Sequence, residues 1–247
     1  MIKIQNVSKS FKTSGGTLQA LKDVSLEIDD GQCVVIAGEN GSGKSVLMSI
    51  IAGLEKADSG KVLYTDSHGK ETRSKNCGLV FQEAETQILG ETLFEDVAFG
   101  PKNLHFDKER VKAAVENSLE KVGLKEKMDY PARFLSGGEK RRLAVASQLA
   151  MERETIILDE PYANLDYSGV KQVNALVKQL KSDGKTVVIL THEIEKCLAF
   201  ADKFVVLFRG EKVFDGKVQN GLKENLEQWN VRNPLVCYKT AEDLAWL

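Results

Sequence analysis

The sequence has no CxxC pair, no leader-like start and no long apolar run, and each absence removes a class of protein. Its four cysteines, Cys33, Cys77, Cys197 and Cys237, are scattered along 247 residues. Neither a zinc site nor a disulfide framework is therefore expected, and a reducing compartment fits. Met1 leads directly into IKIQNVSKSF, without the basic flank and apolar centre of a leader. No stretch approaches the ~20 apolar residues that span a bilayer, so membrane association is expected through another protein and not by direct insertion. An excess of one charge is also missing: 34 Lys and Arg stand against 36 Asp and Glu. That balance disfavours nucleic acid as a partner, although a local basic patch such as Lys140-Arg141-Arg142 can hide in a neutral average. Internal repeats and low-complexity linkers are absent as well. What remains, 42% hydrophobic and 28% charged residues, is enough to bury a substantial core.

Short β-branched runs open the chain. Val24 to Ile28 and Cys33 to Ala37 read as neighbouring strands joined by the Asp29-Asp30-Gly31 turn. The second run is almost wholly apolar, the pattern of a strand buried on both faces, and Lys44 to Leu54 follows with helical apolar spacing. Between Gln87 and Arg133 the pattern turns to charged helix, as in Lys108 to Val122, where Val111, Val115, Leu119 and Val122 share one face. Strand patterns return at Thr155 to Leu158, Thr186 to Leu190 and Phe204 to Phe208. The amphipathic stretch Val170 to Leu180 separates the first two, which predicts parallel α/β connectivity. A hairpin is expected around Arg209-Gly210, then a tail of mixed helix and loop.

The segment Gly38-Glu39-Asn40-Gly41-Ser42-Gly43-Lys44-Ser45 satisfies GxxxxGK[ST] after a buried strand and before a helix, the context that gives this pattern meaning. Its glycines let the backbone curl so that successive N–H groups face phosphate oxygens, and the helix N-terminus adds positive potential. Lys44 supplies a charge near the β and γ phosphates of a nucleotide, and Ser45 offers a hydroxyl to the Mg²⁺ that a triphosphate carries. Downstream, the apolar strand TIILDE ends in adjacent acids. Strand alternation points them in different directions, so Asp159 can serve the metal while Glu160 orients and polarises the attacking water as general base.

Leu135-Ser136-Gly137-Gly138-Glu139 opens a second helix. Ser136 suits an N-cap, and Gly137 and Gly138 allow a ligand close to the backbone, although ordinary capping reads the same way. The chain then has two glycine-lined helix starts suited to phosphate and only one loop with the lysine and hydroxyl to hold Mg-ATP. One resolution is that each start serves a different nucleotide.

In these motifs, and in their order and spacing, the sequence resembles the ATP-binding cassette family over nearly its whole length. GENGSGKS looks like the family's phosphate loop, LSGGE its signature and IILDEP its second acidic motif. The resemblance implies an α/β fold: a P-loop NTPase core with a mixed sheet, an N-terminal antiparallel β subdomain and an inserted α-helical lobe. As one domain over 1–247, the core falls at about 1–86 and 155–216, the lobe at 87–154 and a tail at 217–247. It also implies ATP and Mg²⁺ as ligands, and a head-to-tail pair of cassettes in which each signature covers the γ-phosphate held by the other. Phe11 matches the position of an aromatic ring stacked on adenine, Gln82 a glutamine that contacts Mg²⁺ and the water, and His192 a histidine that contacts the γ-phosphate. Asp166 matches an aspartate that crosses the dimer interface. Taken singly, each has a plainer reading: core packing for Phe11, a solvated Gln82, a structural His192 and a helix N-cap for Asp166.

The stretch Phe81 to Pro101, FQEAETQILGETLFEDVAFGP, is similar to the energy-coupling factor and cobalt-type importer ATPases in Gln82, Gln87 and the run Asp96 to Pro101. It departs from them in having Glu83-Ala84 where Asn-Pro is usual. That likeness implies an ATPase subunit, an identical or paralogous partner cassette, and separate transmembrane subunits at the cytoplasmic face of the cell membrane, importing a vitamin or a transition-metal ion. Leu93, Phe94, Val97 and Phe99 would then form a groove for a coupling helix of the membrane partner. The alternative, a soluble cassette ATPase of translation or DNA repair, should show two cassettes in one chain or a long coiled-coil insertion, and neither is in this sequence.

Overall fold

The computed structural model describes residues 1–65, 71–72 and 76–236; Cys237 and the remainder of the tail lie outside the described residues. The chain opens with two long antiparallel strands, β1 (Ile2–Thr13) and β2 (Gly16–Ile28), followed by β3 (Cys33–Ala37), helix α1 (Lys44–Ile51), β4 (Ser59–Thr65), β5 (Glu71–Thr72) and β6 (Cys77–Val80). Three helices come next: α2 (Leu93–Asn103), α3 (Lys108–Lys121) and α4 (Gly137–Ala150). Then follow β7 (Thr155–Asp159), α5 (Tyr167–Ser182), β8 (Thr186–Thr191), β9 (Lys203–Phe208), β10 (Glu211–Gly216) and the single turn α6 (Val218–Gly221).

The strands form two sheets. One is antiparallel with order β2-β1-β4-β5; the other has order β10-β9-β3-β8-β7-β6, parallel except for the antiparallel β9–β10 hairpin. This corrects the expectation that the runs on either side of Asp29-Asp30-Gly31 are neighbours. β2 pairs with β1, whereas β3 pairs with β8 and β9 in the other sheet. A tight turn joins consecutive strands without specifying which sheet receives the second one. The burial pattern separates them instead, since β3 is buried at all five residues and β2 only along its inward positions.

The six-stranded sheet divides the interior by side-chain alternation. Val34, Ile36, Ile157, Val188 and Leu190 pack with α1 and the antiparallel sheet through Leu47, Met48, Ile51, Ile4 and Leu26. Val35, Ala37, Ile156, Leu158, Val187 and Ile189 pack on the other face with α5 and the three helices α2 to α4. Both faces being covered is why these strands read as continuous apolar runs. The arrangement also brings the C-terminal ends of the adjacent parallel strands β3, β8 and β7 to one edge of the sheet, where ligands bind in open α/β folds.

The helices carry clear start signals. Thr92 and Glu95 form a reciprocal capping box at α2, as Ser136 and Glu139 do at α4, while Asp107 and Asp166 cap α3 and α5. The Lys140-Arg141-Arg142 run is not an exposed basic patch. Lys140 pairs with Glu85, Arg142 bonds Gln172 and Arg141 is buried at 7% exposure. A consecutive run on a helix points its side chains in different directions.

Candidate nucleotide site

The loop after β3 depends on two glycines. Gly38 has φ +154°, and a Cβ there would lie 2.2 Å from the Leu207 carbonyl oxygen. Gly43 has φ +101°, with the Ala20 carbonyl oxygen 2.5 Å from where a Cβ would stand. Gly43 is the N-cap of α1 and brings no side-chain cap, so the first N–H groups of that helix remain available at its positive end. Lys44 is buried and donates to the carbonyl oxygens of Gly38 at 2.7 Å and Glu39 at 3.1 Å. Burial holds its ammonium pKa below the ordinary value against the opposing pull of Glu160 and Asp159. Asn40, Gly41 and Ser45 are exposed, and Ser42 is buried. The carboxylate of Glu39 accepts a hydrogen bond from Asn230 at 2.7 Å, a tail contact that no sequence pattern signalled.

β7 and β8, adjacent in the sheet, deliver the acids and the histidine. Asp159 ends β7, and Glu160 follows in the left-handed region at φ +44°, so the turn beyond the strand, as well as its alternation, separates the two side chains. Glu160 is buried, with Oε1 3.7 Å from Lys44 Nζ and 3.0 Å from His192 Nδ1. A carboxylate can only accept, so Nδ1 carries the hydrogen in this pair. Asp159 is pushed above the usual carboxylate range by burial, opposed by a hydrogen bond from Ser45 and by Lys44. One oxygen of each acid, Asp159 Oδ1 and Glu160 Oε2, is buried without a partner. Two orphaned carboxylate oxygens beside a buried ammonium and a serine hydroxyl suit a hard divalent cation. Among the described residues no three His, Cys, Asp or Glu side chains could hold a metal by themselves, so such an ion would need oxygens from a bound phosphate.

The remaining residues of the sequence reading stand apart from this cluster. Gln82 is exposed; its loop is closed by Gln87, which accepts from Phe81 N at 2.8 Å and donates to the Leu79 carbonyl oxygen at 2.9 Å. Ser136 caps α4, and Glu139 accepts from Ser136 N at 2.9 Å and from Lys127. Those partners bring the Glu139 carboxyl down to about 2. A Cβ added at Gly137 or Gly138 would meet nothing within 4 Å. Asp166 is an N-cap, accepting from Gly169 N at 2.7 Å, and it is exposed. Phe11 lies on β1 outside both cores, half-buried, with Lys9 Nζ 5.1 Å from its ring centre. Arg141, read in the sequence only as part of a basic run, donates through its guanidinium to the Pro161 carbonyl oxygen at 2.7 Å and to that of Gln82 at 3.1 Å.

The sequence description of one family, ABC transporter, matches residues 21–163. The chain belongs to the ABC transporter family. It is the ATP-binding, ATP-hydrolysing cassette of such a transporter, and none of its described helices is long and apolar enough to cross a membrane. The cassette is 43% identical to an energy-coupling factor transporter ATP-binding protein of Thermotoga maritima, over 87% of this chain and 82% of the relative. It is 37% identical to a cobalt import ATP-binding protein of Rhodobacter capsulatus, over 90% and 82%. Among solved structures it is similar to a chain from Clostridium perfringens that is part of an ABC transporter complex, with a TM-score of 0.79, 31% identity, and 94% and 95% of the two chains covered. A dimeric cassette in a post-hydrolysis state, bound to ADP and Pi, matches with a TM-score of 0.76 at 30% identity, covering 88% and 99%.

Proposed function

We propose that this cassette powers uptake of a micronutrient, a vitamin or a transition-metal ion, through separate membrane subunits at the cytoplasmic face of the membrane. On this reading it works in a pair with an identical or paralogous cassette. The observation that carries the catalytic part is the cluster at the mouth of the loop, in which Lys44 and His192 approach Glu160 Oε1 and Ser45 bonds Asp159 while the other oxygen of Glu160 and Oδ1 of Asp159 stay buried without a partner. The printed functions of the relatives, energy coupling and cobalt import, support the cargo class.

Residues 38–45 take the phosphates of ATP: the backbone N–H groups of the loop and α1 face them, and Lys44 exchanges its two carbonyl partners for phosphate oxygens. Phe11 stacks on the adenine. Ser45, Asp159 and Gln82 are the groups that would hold Mg²⁺, which would offset the triphosphate charge and polarise the phosphoryl group. Glu160 offers its free oxygen to the attacking water and accepts its proton. His192 steadies the other oxygen through its Nδ1–H; its Nε2 meets the γ-phosphate as a donor when the ring is the imidazolium, in which both nitrogens carry hydrogen. Ser136, Gly137 and Gly138 complete the facing subunit's site, with Asp166 at the seam between the two chains. The helical lobe of residues 87–154 carries that surface relative to the core.

The groove for a membrane partner differs from the one the sequence suggested. Leu93 and Val97 are fully buried and Phe94 packs against the core, so those three hold the lobe together. Phe99 is 51% exposed and lines a cavity with Leu89, Leu104 and Met151. Asp96 shapes its wall by accepting from Leu89 N and Gly90 N at 2.7 and 3.1 Å. An apolar helix presented by a membrane subunit fits such a surface.

Glu160→Gln tests the catalytic assignment. The amide keeps the shape and removes the base, so ATP binding should persist while turnover falls by about 10²–10⁴-fold and a nucleotide-bound dimer accumulates in size-exclusion chromatography. Parental turnover in that variant would remove Glu160 from the role.

A further inference from the structure

The buried guanidinium of Arg141 is not used by the proposed chemistry, and its surroundings are unusual. It sits in the second turn of α4, a few residues beyond the Ser136–Gly138 start, and is 7% exposed. No carboxylate pairs with it among the described residues; burial alone holds it below the usual guanidinium range, and its Nε has no partner. A buried cation satisfied only by neutral carbonyls is costly, and an apolar side chain of similar volume would serve stability at least as well. Stability alone therefore does not account for an arginine here.

Its two partners belong to the two catalytic loops. Nη1 donates at 2.7 Å to the carbonyl of Pro161, the residue after Glu160, and Nη2 at 3.1 Å to the carbonyl of Gln82 itself. A guanidinium is a rigid planar fork, so these two bonds fix the spacing between the loops as well as their distance from α4. The flanking residues do nothing comparable. Lys140 reaches Glu85, which is 64% exposed, an ion pair of the kind that contributes little, and Arg142 bonds Gln172 on α5.

We infer that Arg141 is a positioning residue: it ties the helix start that faces the partner's nucleotide to the Gln82 and Glu160 loops that act on the chain's own, so one cassette's two half-sites are set together. This rests on the proposed roles of Glu160, Gln82 and Ser136–Gly138. Displacement of either loop would leave the phosphate loop untouched, so ATP affinity and turnover should separate when the fork is removed.

The test compares Arg141→Lys and Arg141→Met in the full chain with the parent and with Glu160→Gln, measuring melting temperature, ATP affinity, KM and kcat. Lysine keeps the charge and most of the stem but cannot hold two carbonyls at a fixed spacing. Both variants should bind ATP within about twofold of the parent and lose about 10- to 100-fold in kcat, the loss typical of a displacement of about 1 Å at a catalytic group. Full kcat in the lysine variant would overturn the inference by showing that charge alone suffices. ATP affinity, kcat and melting temperature falling together would overturn it by showing a structural role. Should the methionine variant fail to fold, the lysine variant decides by the same criteria. Glu160→Gln separates the levels: if it is inactive while Arg141→Lys is fully active, the coupling inference alone fails, and if it is active, the underlying assignment fails with it.

Discussion

Replacing Gly137 and Gly138 by alanine separates folding from function. Both glycines stand at the first two positions of α4, neither has a positive φ, and a Cβ on either meets nothing within 4 Å. Nothing in the chain's own backbone or packing therefore requires glycine. Gly→Ala at a compatible helical position stabilises by about 0.4–1 kcal/mol through the unfolded state, which for a domain of this size raises Tm by about 1–4 °C. On the proposed pairing, the same methyl groups would stand where another cassette's γ-phosphate approaches the Gly137 and Gly138 N–H groups. A donor useful to an oxyanion lies about 2.7–3.1 Å from it, and losing one such donor costs about 10²–10³-fold in rate, equivalent to about 2.7–4 kcal/mol. The double variant should melt slightly higher than the parent, bind ATP in its own loop with unchanged affinity, and hydrolyse it at least about 100-fold more slowly. Thermal denaturation, equilibrium nucleotide binding and phosphate release on one preparation suffice. Retained hydrolysis with the Tm gain would refute the reasoning, because the open helix start would then have no ligand to admit.

Two further outcomes follow from neighbouring groups. Glu139 has its pKa lowered from 4.5 to about 2 by Lys127 and the Ser136 N–H. Its contribution to stability is thus complete above about pH 4.5 and is lost as pH falls towards about 2. Glu139→Gln, which keeps a capping-box side chain, should lose less than about 1 kcal/mol at pH 7 and show a shallower fall in urea-unfolding free energy across that acid window; an unchanged pH dependence would exclude Glu139 as its source. Phe99→Asp, placed on an exposed and unstrained helical surface, should leave Tm and ATP hydrolysis by the chain alone within about twofold of the parent. The same variant should weaken capture by co-expressed membrane subunits by at least about 30-fold, the loss of one aromatic hot spot; undiminished capture would place the docking surface elsewhere.

Local pattern carried the reading wherever one local cause dominates. Cys33–Ala37, Thr155–Asp159 and Thr186–Thr191 are legible as buried strands because both faces of their sheet are covered, and Gly38–Ser45 because Gly38 and Gly43 answer close backbone contacts and Gly41 a positive φ. Where the cause is distant, the pattern was silent or misleading. The sheet that receives β3 is decided by β8 and β9, more than 150 residues away in the chain. Leu93 and Val97 were read, from the likeness to the importer ATPases, as lining a groove for a membrane partner, yet both are fully buried where α2 packs on α3 and α4. Arg141 was read with Lys140 and Arg142 as charge, although its spacing of three and four residues from the buried Ala144 and Val145 places it on the inward face of α4. That spacing was available in the sequence; the two carbonyls that await it, from residues 82 and 161, were not.

The two glycine-lined helix starts differ in a way that bears on the proposed pairing of cassettes. At α1 no side chain caps the helix, and a lysine and a serine hydroxyl stand beside its free donors, so a polyanion finds backbone, charge and a metal ligand in one place. At α4 the capping box engages the N–H groups of Ser136 and Glu139, which leaves the donors of Gly137 and Gly138. The capping carboxylate of Glu139 is itself paired with Lys127. Two neutral donors at a helix end add too little to hold a triphosphate against water, but they are well suited to stabilise charge that has already been brought to them. On the proposed pairing, affinity would rest with one chain and the last increment of transition-state stabilisation with another, so that binding could occur in an open cassette while hydrolysis waited for closure. In a transporter that order matters, because ATP split before the pair closes would do no work on the membrane subunits.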